Sequence, residues 1–121
     1  MAEKSFMDIK ILTEKIKMDE VHKLAESWYG TMIKGTVDVA KRKVALGGDY
    51  HIESCEILVK NGSHQNDIWG FNIRFEEKLN GVLEFDSIVN IKPAKNNHTR
   101  NIYDEAIKNK CTEIIHSLIE F

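Results

Sequence analysis

An unbroken two-residue alternation in the second half of the chain constrains the fold most. Trp69, Phe71, Ile73 and Phe75 stand opposite Gly70, Asn72 and Arg74. Leu83, Phe85, Ser87, Val89 and Ile91 stand opposite Glu84, Asp86, Asn90 and Lys92. Successive side chains of a strand point to opposite faces, so both runs read as strands with one apolar face. Asn80-Gly81 invites a two-residue turn between them, but that register sets Phe75 against Asp86. A three-residue loop, Leu79–Gly81, instead opposes 75 with 85, 73 with 87 and 71 with 89, and keeps apolar beside apolar.

The same period governs an earlier stretch. Ile33, Gly35, Val37 and Val39 alternate, a charged turn Ala40–Lys43 follows, and Val44 and Leu46 resume the pattern. Pairing Val39 with Val44 and Val37 with Leu46 makes a hairpin. Ile9, Ile11 and Leu12 supply a short first strand, and Gly47-Gly48 permit a bend. Residues 53–60 are compatible with a capped short helix, but Cys55, Ile57 and Val59 alternate and the expectation is a strand. Val21, Leu24, Ala25 and Trp28 recur at helical spacing, predicting a helix over 19–29 with Asp19 as N-cap and Gly30 past its end. Pro93 ends the last strand. Asn101 is then placed to cap a final helix with the stripe Ile107, Cys111, Ile114, Ile115 and Leu118. The expectation is one α+β domain over 1–121: an antiparallel meander sheet of four to five strands, with two helices packed on one face.

Composition limits the function classes. With 17 Lys plus Arg against 19 Asp plus Glu, the net charge of −2 argues against a nucleic-acid partner. No apolar run approaches the roughly 20 residues that span a bilayer, and Glu3, Lys4 and Asp8 break any signal-peptide core. A cytoplasmic protein without a membrane partner is expected. Cys55 and Cys111 form no C-x-x-C pair and read as reduced core filler. His51 and Cys55 are four apart, yet no third ligand follows at a telling spacing, so neither metal nor cofactor is expected.

If two helices cover one sheet face, the other gathers Lys34, Asp38, Asn72, Arg74, Glu84, Asp86, Asn90 and Lys92, with His51 near them. Three groupings there can carry chemistry. Ser63, Gln65 and Asn72 form a polar rim around Gly70, where a strand glycine lets a ligand or another backbone come close. Asn90 and Lys92 share a strand face, and Asn97, Thr99 and Arg100 precede a helix, an arrangement suited to an anion. Asp38 beside His51 would set the imidazole tautomer for acid–base catalysis, with Lys34 as the cation. Each grouping also has a plain structural use, as turn, loop cap or satisfied strand polar pair.

The residues Lys34, Val37-Asp38-Val39, Ala45-Leu46-Gly47-Gly48, His51, Gly62-Ser63-x-Gln65 and Asp67-Ile68-Trp69-Gly70-x-Asn72 form a pattern, continued by Phe85-Asp86-Ser87, Asn90-Ile91-Lys92-Pro93 and Asn97-x-Thr99-Arg100. On it the chain resembles an uncharacterised family of small bacterial and archaeal proteins, carried as a domain of unknown function. It departs from that pattern at Lys92, where Arg is expected, and in Tyr50-His51-Ile52-Glu53, where a Leu-His-Ala-Asp-like run is expected. The resemblance implies a fold and a residue set, not a reaction. The functional expectation is a small binding or interaction module that uses its polar sheet face for a small polar or anionic ligand. A small hydrolase or transferase using His51, Asp38 and a cation is the alternative, and a homodimer is a third possibility.

Overall fold

The computed structural model describes residues 8–75 and 82–121, so the expected Leu79–Gly81 loop lies outside the described residues. A five-stranded antiparallel sheet forms the frame, in the order β1-β4-β3-β5-β6. Its strands are β1 (Lys10–Ile11), β3 (Met32–Asp38), β4 (Lys43–Leu46), β5 (Ile68–Arg74) and β6 (Val82–Glu84). A two-stranded parallel pair, β2 (Ile16–Lys17) with β7 (Ile119–Glu120), lies beside it. The helices are α1 (Met18–Glu26), α2 (His51–Lys60) and α3 (Glu105–Leu118). Among the described residues, no helix is long and apolar enough to cross a membrane.

Mixed α/β content and an antiparallel sheet match the expectation, but the described residues hold three α-helices and these take both faces. Val21 and Ala25 of α1 and Cys111, Ile114 and Ile115 of α3 pack on Ile33, Val37, Trp69, Phe71 and Ile73. On the opposite face, Cys55 and Leu58 of α2 pack on Ala45 and Ile68 with Ile9 and Trp28. Hence α2 replaces the strand expected over 53–60. The buried positions of α2 are His51, Ser54, Cys55 and Leu58, a stripe at 3.6-residue spacing, while Val59 is 43% exposed. Half of that stripe is polar, which hid it from a reading based on apolar residues alone. Glu53 closes the helix start, its Oε1 accepting from the Asp49 and Tyr50 N–H groups at 2.7 and 2.9 Å. Both preceding glycines take positive φ, +119° at Gly47 and +105° at Gly48, and this reverses the chain from β4 into the helix.

Two registers, one cap and one helix boundary differ from expectation. In the first hairpin Val37 faces Val44 and Asp38 faces Lys43, so the turn begins one residue earlier than expected. The cause is Asp38, whose Oδ1 accepts from Ala40 N and Lys41 N at 2.8 and 3.0 Å and closes an Asx-type turn. In the second, Ile73 faces Leu83 rather than Ser87, and β6 stops at Glu84. Beyond it the chain leaves the sheet, and Ser87 Oγ caps a 3-10 turn at Ile88–Asn90. The last helix is capped by Asp104, whose Oδ1 accepts from Ala106 N and Ile107 N, and not by Asn101. The first helix occupies Met18–Glu26 instead of 19–29, with Gly30 at φ +76° donating to Ala25 O beyond its end.

Candidate functional site

The α2 helix covers only part of its sheet face. Between its N-terminus and the 87–94 segment lies a cavity of about 770 Å³, whose polar lining includes Lys34, His51, Gln65, Asn66, Lys92 and Arg100. Its walls are the aliphatic and aromatic side chains of Tyr50, Ile52, Ile88 and Ile91.

The far wall exists because an asparagine stands in for a strand. Past β6 the edge of β5 would be left unpaired at Gly70. There Asn90 Oδ1 accepts from Gly70 N at 2.7 Å, and Asn90 Nδ2 donates to Gly70 O and Arg100 O at 3.0 Å each. The side-chain amide copies the two bonds that a paired strand residue would make. Asn97 fixes the rest of the segment: Nδ2 donates to Asn90 O, Thr99 O and Asn101 O, and Oδ1 accepts from Tyr103 N. Both amides are buried and their capacity is spent on backbone, so they shape the cavity rather than face a ligand. Gly70 is required by the same packing. A Cβ there would sit 2.5 Å from Ser87 Oγ and 3.2 Å from His51 Cδ2, so the close approach permitted by this glycine is used by Ser87 and His51.

His51 begins α2 and is 7% exposed. Its Nε2 lies 2.9 Å from the Phe71 carbonyl oxygen. A carbonyl only accepts, so the neutral ring carries its proton on Nε2. The Nε2–Cδ2 edge thus faces the sheet, and Nδ1 is on the edge turned away from it. Burial lowers the His51 pKa to about 4, with the nearby Lys34 charge acting the same way and the Phe71 carbonyl, Asn72 and Asp86 opposing it. The ring is uncharged at neutral pH.

The cations around the cavity differ in what they face. Arg100 Nε pairs with Asp86 Oδ1 at 2.8 Å. Lys92 is buried; its Nζ donates to Gln65 O at 2.9 Å and lies 5.5 Å from the Trp69 ring centre, and burial lowers its pKa from the ordinary lysine value. Lys34 is half-buried, with Nζ 5.6 Å from the Tyr29 ring centre and no carboxylate partner among the described residues. The positive end of the α2 dipole points toward the same region.

The fold therefore brings Lys34, His51, Gln65, Lys92 and Arg100 to one cavity, and leaves two other candidates elsewhere. Asp38 and Ser63 sit near the C-terminal end of α2, where Lys43 Nζ reaches Asn61 O and Lys41 Nζ reaches Gly62 O. His51 is at the other end, roughly 15 Å away along a ten-residue helix. Asp38 thus closes the hairpin turn, and the expected Asp38–His51 hydrogen bond is absent. Asn72 lies beneath the cavity, 4% exposed, with Nδ2 donating to Glu84 Oε1 and Asp86 O. The anion site expected at the last helix start does not form, because the Asp104 carboxylate already fills it; Arg100 turns instead toward the cavity and Asp86. Sequence reasoning overlooked Tyr50, Ile52, Ile88 and Ile91 as cavity walls. The available signal was Ile88, an aliphatic residue at a position that the strand alternation assigned to the polar face.

Among the described residues no group of three or more His, Cys, Asp or Glu side chains is placed to hold a metal ion. Cys55 and Cys111 are buried free thiols whose pKa burial raises, to about 12 at Cys111. Residues 10–118 match the model of a protein family of unknown function, DUF5674. No curated protein and no solved structure matches the chain.

Proposed function

The chain belongs to the DUF5674 family of unknown function, and from that premise we propose that it is a small binding module whose cleft beside the α2 N-terminus holds a small anionic ligand. The observation that carries this reading is Lys34: a half-buried residue of the cavity wall whose ammonium has no carboxylate opposite it among the described residues. A bound anion would supply the counter-charge that the protein does not. Arg100 adds donors at the same cavity, and His51 contributes a polar ring that is neutral at pH 7. The reading places the protein in the cytoplasm, and the net charge of −2 speaks against a nucleic-acid partner.

A thermal-shift panel of small carboxylates and phosphates, run on wild type and on Lys34→Met, tests it. An anion that raises the wild-type midpoint and leaves Lys34→Met unmoved is the expected result. Equal shifts in both proteins, or none in either, would contradict it.

One observation favours a second reading, a small hydrolase or transferase. The His51 ring is neutral, its tautomer is set by Phe71 O, and its Nδ1 edge faces away from the sheet, as a general base requires. Lys34 or Arg100 would supply the charge for a developing anion. In this reading His51→Gln abolishes turnover while ligand binding survives; retained turnover in that variant would exclude it.

A further inference from the structure

We propose that the ligand is a monoanionic amphiphile, with its charged group seated at Lys34 and Arg100 and its apolar body lying along Ile52, Ile88 and Ile91. The inference rests on the cleft being a ligand site and goes on to the class of molecule it takes.

Seven large apolar side chains are well exposed among the described residues, and four of them, Tyr50, Ile52, Ile88 and Ile91, line this one cavity. Single exposed apolar side chains are ordinary, whereas their collection around one concavity marks a binding surface. The exposure is also built into the fold. Ile88, at 74%, and Ile91, at 43%, flank Asn90, which is fixed through its own amide to Gly70 and through its carbonyl to the buried Asn97 amide. These aliphatics are therefore presented by a fixed backbone. A volume of about 770 Å³ suits a small molecule.

Charge at the polar end sets the valence. Arg100 is matched by Asp86, His51 is neutral, and the Lys92 ammonium is turned to Gln65 O and the Trp69 face. Lys34 and Lys92 both lack a carboxylate partner among the described residues, but Lys92 Nζ is already hydrogen-bonded to Gln65 O, which leaves Lys34 as the ammonium open to a ligand. A carboxylate, or another singly charged group, neutralises it and can share the remaining Arg100 donors.

Calorimetric titration of the full chain with acetate, butanoate, hexanoate and octanoate, and with 1-hexanol, tests the inference. Affinity should rise roughly two- to four-fold per added methylene, as expected for partial to full burial. Hexanoate should bind at least about ten-fold more tightly than hexanol, in proportion to one charge-assisted contact. Lys34→Met should erase the difference between acid and alcohol. Ile88→Ser, at a position 74% exposed, should flatten the chain-length slope. Octyl phosphate should gain nothing over octanoate, and phosphatidylglycerol vesicles should leave the protein in the supernatant.

Equal binding along the series would overturn the amphiphile while the anion-site reading survives. Alcohol binding as tight as the acid, or octyl phosphate binding more than about ten-fold tighter than octanoate, would overturn the monoanionic head. Co-sedimentation with the vesicles and no binding of free acids would overturn the small-molecule ligand. No binding of any probe would overturn both the inference and the reading beneath it.

Discussion

Acidification should weaken the fold through one residue, His51. In the folded protein burial holds its pKa down to about 4, against 6.5 for an ordinary histidine. The unfolded chain therefore binds the proton first as pH falls. The stability contributed by the neutral ring is fully present above about pH 6.5, is lost between there and about pH 4, and falls no further once both states are protonated. A drop from 6.5 to about 4, at about 1.4 kcal/mol per pH unit, corresponds to a total loss of about 3.5 kcal/mol, of which about 3 kcal/mol is reached by pH 4. Urea unfolding at pH 7.5, 6.0, 5.0 and 4.0, followed by fluorescence of the buried Trp28 and Trp69, measures it. His51→Gln is the control, because its side-chain N–H can still reach Phe71 O while it cannot titrate. The gap in stability between wild type and His51→Gln should shrink by about 3 kcal/mol across that range. Parallel curves would refute the reasoning, since they would mean that the ring is not held neutral against the sheet.

Asn90→Ala strands Gly70 N–H, Gly70 C=O and Arg100 C=O, at about 1–3 kcal/mol for each group left buried and unpaired. A urea-unfolding loss of at least about 3 kcal/mol is expected, and a loss below about 1 kcal/mol would show that the loop does not depend on the amide. Gly70→Ala forces a Cβ to within 2.5 Å of Ser87 Oγ and should cost roughly 1–3 kcal/mol, with part restored by adding Ser87→Gly; no recovery in the double variant would mean the clash lies elsewhere. Cys55 and Cys111 should react with a thiol reagent such as DTNB only on unfolding, given burial and raised pKa. A fast phase in native buffer would contradict this.

Legibility from sequence followed what each element buries. The paired strands β3 and β5 bury apolar side chains at alternate positions, so the period of two was visible, and α1 and α3 show helical stripes for the same reason. The α2 stripe was not visible, because His51 and Ser54 occupy half of it and are satisfied only in three dimensions, by Phe71 O and by Thr36 Oγ1 at 2.9 Å. Once a helix lies over that face, the polar row no longer forms one open surface. Lys34 and His51 remain at the cleft, and Asp38 is carried to the far end of the helix and into a turn. Segment 85–91 misled in a different way. Phe85, Ser87, Val89 and Ile91 alternate as a strand should, but the sheet edge at Gly70 is filled by the Asn90 amide, and the chain leaves after Glu84. No local pattern distinguishes an asparagine that replaces a strand from one that decorates it.

In the proposed binding module, Lys34 and the α2 N-terminus form one side of a ligand cleft and the 87–91 segment the other. Amide chemical-shift mapping during a hexanoate titration tests it most directly. Saturable shifts are expected at His51 and Ile52 together with Ser87, Ile88 and Ile91, with one affinity at every site, weakened in Lys34→Met to that of hexanol. Shifts that centre on α3, or that scatter over the surface without saturating, would contradict it.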